Sequence, residues 1–327
     1  MKQNTRRKFL KDSARLATVL SIPPIFLSGY GPAKNVKFGL ITDVHQDIIF
    51  DGETRLQAFV TDSKNRKLDF IVQMGDFCVP KSENQRFLDV FNDYRGERHH
   101  VLGNHDMDSG FTREQTIKFW GMKSKYYSFD CNGIHFVILD GNDPNPPPFE
   151  GYNRYIGLDQ MTWLKSNLDG TSLPVIIFSH QTLENQDGGI ANMSKVRAVL
   201  EEANKTAGFP KVLACLSGHH HTDYHTKIND IYYIQINSAS YHWVGGEYKI
   251  KRFSQDTHEK YQWLEYTIPY KDPLYTFITI NLEGYLSIES KQSVFVGPGP
   301  EEMGMPKRPD NDPIVPFITG KDLKISS

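Results

Sequence analysis

Five short segments carry side chains able to bind metal ions: Asp43-Val44-His45, Gly75-Asp76, Gly103-Asn104-His105-Asp106, His180 and Gly218-His219-His220-His221. Carboxylate, amide and imidazole donors of this kind suit Mn, Fe, Zn or Co. The three cysteines, Cys78, Cys131 and Cys215, are too few for a disulfide framework and lack the paired spacing of a zinc–cysteine site. Histidine is abundant, at 12 residues, but the count alone assigns no role. A single Asp-x-His, or one histidine at a strand end, carries little weight because such residues are commonly structural. The ordered set carries more.

Each segment follows an apolar run that reads as a buried strand. Residues 36–41 lead to Asp43, 69–74 to Asp76, 99–102 to Asn104, 175–179 to His180 and 211–217 to His219. In α/β sheets the loops at the carboxyl ends of strands form the ligand crevice, so residues nearly 180 positions apart can converge on one pocket. Between the runs, residues 53–64 place Leu56, Phe59 and Val60 on one helical face, and 191–207 do the same with Met193, Val196, Leu200, Ala203 and Ala207. Residues 126–130 and 134–139 read as a hairpin turned by Asn132-Gly133. Runs at 231–237, 274–280 and 285–289 add strands, and the segment 231–289 is expected to complete a second sheet. Residues 141–157, with Pro146-Pro147-Pro148, are expected to be irregular, as is the Pro/Gly-rich stretch 296–327.

In this order the blocks D-x-H, G-D, G-N-H-D, H and G-H-x-H resemble those of the calcineurin-like metallophosphoesterase superfamily, over residues 36–221. The resemblance implies an α/β fold, an αββα four-layer sandwich with two mixed β-sheets flanked by helices. It implies a two-metal site in which Asp43, His45 and His221 hold one ion, Asn104, His180 and His219 the other, and Asp76 bridges. His105 would be the general acid, and Asp106 would orient it through its other ring nitrogen. Two divalent or mixed-valence ions (Mn, Fe, Zn or Co) would share a hydroxide and clamp the phosphoryl oxygens during in-line displacement. The expected reaction is hydrolysis of a phosphodiester, phosphomonoester or pyrophosphate in a small phosphorylated substrate. A diester is preferred by analogy with small members of the superfamily. The alternative is a metal- or substrate-binding protein of the same fold without turnover.

Departures narrow the resemblance. The bridging Asp76 is followed by Phe77-Cys78-Val79-Pro80-Lys81, without the D-R-G segment of the Ser/Thr phosphatases. Val79 stands where purple acid phosphatases place an iron-binding tyrosine. About 100 residues after His221 leave little room for the second domain of secreted 5′-nucleotidases. Among the other histidines, His220 should point away from the ions, and His99 and His100 read as structural. The aromatic segment 240–266 either lines the pocket or covers the sheet, and Cys78 reads as an inert buried thiol.

Over 327 residues, 39% hydrophobic and 23% charged content describe a soluble globular protein rather than a disordered, collagenous or multi-span one. Residues 1–33 read differently. The stretch Thr5-Arg6-Arg7-Lys8-Phe9-Leu10-Lys11 resembles a bacterial twin-arginine export signal, and the weakly apolar run after it is shorter than the roughly 20 residues of a spanning helix. The implied partner is the twin-arginine export machinery. The implied location is periplasmic or extracellular, or membrane-anchored if the signal stays uncleaved. Residues 1–33 hold six Lys/Arg and one Asp, so their removal takes the net charge from -2 to about -7 and disfavours nucleic-acid binding. The expected organisation is a signal at 1–33, one metallophosphoesterase domain at 34–295 and a tail at 296–327.

Overall fold

The computed structural model describes residues 34–281, 283–309 and 312–325. The segment 1–33, with its export motif, lies outside the described residues. Along the chain the strands are β1 (Val36–Ile41), β2 (Phe70–Gln73), β3 (Glu97–His100), β4 (Tyr127–Cys131), β5 (Ile134–Leu139), β6 (Val175–Ser179), β7 (Val212–Ser217) and β8 (Tyr224–Ile228). They continue as β9 (Ile231–Gln235), β10 (Tyr241–Trp243), β11 (Thr267–Pro269), β12 (Thr276–Ile280), β13 (Tyr285–Ile288), β14 (Lys291–Gln292), β15 (Phe317–Ile318) and β16 (Lys321–Lys324). Twelve of them form two six-stranded mixed sheets, ordered β16-β13-β12-β1-β2-β3 and β4-β5-β6-β7-β9-β8.

The central strands are apolar throughout because both of their faces are buried. Along β1, Val36, Phe38 and Leu40 point to the other sheet, while Ile41 belongs to the outer face. In β6, Ile176 and Phe178 point inward, and Val175 and Ile177 pack outward. Helices Gly52–Lys64 and Gln85–Asn92 cover the first sheet through Leu56, Phe59, Phe87 and Phe91. Helices Leu158–Gly170 and Met193–Ala207 cover the second through Leu164, Leu168, Val196 and Leu200. Three apolar clusters thus separate four layers, in the order α, β, β, α. The β4–β5 hairpin turns at Asn132 (φ 46°) and Gly133 (φ 86°), the left-handed pair that matches strand twist.

Two expectations fail in the carboxyl-terminal third. Only β9 of the segment 231–289 joins the second sheet, whereas β12 pairs antiparallel with β1 and β13 follows it. The reason is that β12 is apolar on both faces: Ile278 and Ile280 enter the inter-sheet core while Phe277 packs under the helices. Nor is the tail beyond 296 irregular throughout, since β16 pairs with β13 and β15 with β14. Ile318, Leu323 and Ile325 contribute to the inter-sheet core.

Lys321 fastens this tail. Its Nζ lies 2.7 Å from Asp223 Oδ1, with the two side chains only 6% and 2% exposed. Removing one partner of a buried pair strands the other, at a cost of about 3–5 kcal/mol. Lys321→Ala is therefore expected to lower the melting temperature by roughly 5–8 °C in a thermal scan. A tail that merely trailed from the domain would give no shift.

Candidate metal centre

The turns after β1, β2, β3, β6 and β7 meet at the carboxyl edge shared by the two sheets. The first two remain paired beyond their strands, with Asp43 N–H on Gly75 O (3.0 Å) and His45 N–H on Asp76 O (2.9 Å). Five residues on these turns adopt left-handed backbone: Asp43 (φ 54°), His45 (52°), Asp76 (50°), His219 (75°) and His221 (53°). Each costs about 1–3 kcal/mol, which the surrounding packing must offset. Close approach also demands glycine. A Cβ on Gly103 would lie 2.2 Å from Asp76 Oδ1, and one on Gly218 2.4 Å from Asp43 Oδ2.

Two groups of ligand atoms result, Asp43 with His45 and His221, and Asp76 with His180 and His219. Within the first, His221 Nε2 is 3.1 Å from both Asp43 Oδ1 and His45 Nε2. In the second, His180 Nε2 is 3.1 Å from Asp76 Oδ2, which is also 3.6 Å from His45 Nε2. Asp76 therefore stands between the groups. The donor set fits metal ions on a further observation: among the described residues, Asn104 Oδ1 is buried without a hydrogen-bond partner. Backbone carbonyls select the ring tautomers, because His180 Nδ1 donates to Met74 O (2.8 Å) and His221 Nδ1 to Tyr241 O (2.8 Å). Each Nε2 lone pair is thereby turned toward the centre.

Burial holds His45 down to about 3 and His219 well below the ordinary histidine value, so both are neutral donors. Burial opposes ionisation of Asp43 and Asp76, yet the neighbouring histidines keep both below the usual carboxylate range. For His180 the burial penalty is outweighed by Asp76 and Asp43, which raise it to about 10. An ion taking that lone pair displaces a proton.

The backbone N–H of His105 donates to Asp76 Oδ1 (2.8 Å), placing its ring 5.2 Å from that of His45. The carboxylate on its Nδ1 is that of Asp108 (2.7 Å), not Asp106 as the sequence led us to expect. The turn after Asn104 is a tight helix from His105 to Gly110 that breaks at Asp108 (φ −60°, ψ 165°). Asp108 is thereby the carboxylate that reaches the imidazole. Asp106 is fully buried on the other side and accepts from the backbone N–H groups of Gly103 (2.7 Å), Phe77 (2.7 Å) and Asp76 (3.0 Å). It is a clasp between the β2 and β3 turns. Asp106→Ala would leave three buried amides unpaired, at about 1–3 kcal/mol each. Reduced thermal stability together with weakened metal retention, read by calorimetry and elemental analysis, is the expected outcome.

The calcineurin-like phosphoesterase family profile matches residues 36–223, more than half of the chain. The chain belongs to this family. A curated rice relative (Oryza sativa subsp. japonica), the manganese-dependent ADP-ribose/CDP-alcohol diphosphatase, is 24% identical over 259 residues, covering 58% of this chain and 78% of the relative. A dimetal phosphatase from Danio rerio has TM-score 0.56 at 16% identity, covering 80% of this chain and 98% of that one. GAP50, the anchor in the inner membrane complex of Plasmodium, has TM-score 0.52 at 15% identity and covers 90% of both chains. At such identities the two structures speak to the fold alone.

The ligand groups open onto a cavity of about 740 Å³. His45, Asp76, His219 and His221 lie on its wall with His105, and the aromatic segment contributes Tyr241, Trp243 and Trp263. That segment therefore lines the pocket, which its sequence left undecided. Tyr152 and Asp108 line it too, and neither was singled out from sequence. His220 turns away, Nε2 on Asp187 O (2.6 Å), and His99 and His100 are buried in or beside β3. His242 is buried behind the site, its Nδ1 donating to His221 O (2.9 Å). Burial raises the Cys78 thiol well above its ordinary value, consistent with an inert side chain.

Proposed function

We propose that the protein is a binuclear metal-dependent hydrolase of a small phosphoester, acting on the phosphodiester or pyrophosphate linkage of a ring-bearing substrate. The observation that carries this is the convergence of two three-residue ligand groups, four of whose members, His45, Asp76, His219 and His221, share a cavity wall with His105. Asp43, His45 and His221 would hold one ion, Asn104, His180 and His219 the second, and Asp76 both. When bound, two such cations supply Lewis acidity toward phosphoryl oxygens and lower the pKa of water.

The remaining work falls to the chain's own groups. With Nδ1 engaged by Asp108, the His105 ring presents Nε2 to the leaving oxygen as a proton donor. Burial counts against the charged form of His105, but Asp76 and Asp108 outweigh it and raise the imidazole to about 9. Trp243 and Trp263, 43% and 57% exposed, offer flat apolar surface to a substrate ring. The rice relative supports the linkage, because its named substrates join a diphosphate to a nucleoside. The basic stretch 5–11 supports export by the twin-arginine route, which would place the substrate outside the cytoplasm.

The test is to load the purified protein with Mn, Zn or Co and measure metal content. Turnover is then followed on p-nitrophenyl phosphate, bis-p-nitrophenyl phosphate and ADP-ribose. Two ions per chain with diester or pyrophosphate turnover is the expected result. Monoester turnover alone would correct the linkage. Two ions with no turnover under any metal would leave a binding protein.

A further inference from the structure

We infer that Tyr152 is a positioning residue for His105, acting through Asp108 from a segment remote in the sequence. This rests on the phosphoesterase reading above, in which His105 protonates the leaving group.

Both oxygens of the Asp108 carboxylate are engaged. Oδ2 accepts from His105 Nδ1 (2.7 Å) and Oδ1 from the Tyr152 hydroxyl (2.9 Å). Asp108 is about one-third exposed, so without a second donor its carboxylate is free to rotate toward water. The Tyr152 ring also lies 4.6 Å from the His105 ring at an interplanar angle of 55°, where it limits rotation of the imidazole. Two contacts from one side chain thus set the direction in which His105 points.

Core packing does not account for Tyr152, which is 48% exposed. Its segment, residues 141–157, is irregular but fastened at its base. Asn142 bridges to Tyr155, and Asp143 receives Arg113 Nη1 (2.9 Å) and Lys125 Nζ (2.8 Å). Arg113 opens the helix Arg113–Trp120 that follows the His105 turn. The two halves of the relay are therefore tied to each other at a second point.

Tyr152→Phe removes one hydroxyl from a half-exposed site, so the melting temperature should not move. On a phosphoester with a poor leaving group, such as a phenyl or alkyl ester, kcat should fall about 10–100-fold with KM unchanged. On the p-nitrophenyl ester, whose leaving group needs little protonation, the fall should be much smaller. Asp108→Asn should show the same pattern, and the double variant should be no worse than Asp108→Asn alone. Equal losses on both leaving groups, a change confined to KM, or additive losses would each overturn the inference.

A second readout does not depend on turnover. In ¹H–¹⁵N spectra of the zinc-loaded protein, the His105 Nδ1–H signal, assigned by its loss in His105→Gln, should shift in Tyr152→Phe. An unmoved signal overturns the inference even if no substrate is found. A moved signal in a protein that turns over nothing retains the relay and rejects the phosphoesterase reading instead.

Discussion

Replacing Asp76 with asparagine is expected to lower kcat/KM at least about 10³-fold and to reduce bound metal from two ions per chain toward one. The carboxylate reaches both ligand groups, with Oδ2 at 3.1 Å from His180 and 3.6 Å from His45, and its Oδ1 accepts the His105 backbone N–H. Asparagine keeps the shape and one oxygen but removes the negative charge that two cations would share. Several kcal/mol of stabilisation depend on charge placed between such ions, and each 1.4 kcal/mol is a factor of ten. Elemental analysis and steady-state assays check the two parts separately. If metal content and rate both stay at wild-type levels, Asp76 does not bridge.

Substituting His105 by alanine should separate chemistry from metal binding. Its ring belongs to neither ligand group, and only its backbone N–H touches a ligand carboxylate, so both ions should remain. General acid catalysis contributes about 10²–10⁴ in rate, and that factor should be lost on esters with poor leaving groups. Substrates that leave unassisted should be nearly spared. A uniform loss across leaving groups would mean that His105 acts by stabilising equatorial charge. A loss of metal would mean that it is a structural part of the centre.

Much of this was legible because the metal-capable residues lie directly after apolar runs. Residues 36–41, 134–139 and 175–179 read as strands and have the same bounds as β1, β5 and β6. Such strands are buried on both faces, so their pattern is continuous rather than alternating and their ends are sharp. The helices Gln85–Asn92, Arg113–Trp120 and Leu158–Gly170 went unread. The first and third begin without a side-chain cap hydrogen bond, and their start signals are single residues, Asn84 and Asp159. The second has a capping box, Thr112 with Gln115, that was there to be found. In the tail, Pro and Gly conceal two strands of two and four residues, too short for a period to show.

The sequence by itself determined the donor set, its order along the chain, and its place at strand ends, because these depend on residue type and local pattern. Tertiary structure alone decided which carboxylate serves which histidine. Asp106 and Asp108 stand one and three residues after His105, and the family resemblance implied the nearer one. A tight turn that breaks at Asp108 sends the nearer carboxylate into a buried clasp of backbone amides and the farther one onto the imidazole. The same is true of Tyr152, 44 residues from Asp108, whose hydroxyl meets it only in the folded chain. The left-handed backbone of five ligand-bearing residues is likewise a property of the assembled site: packing from both sheets holds strain that no local segment would keep.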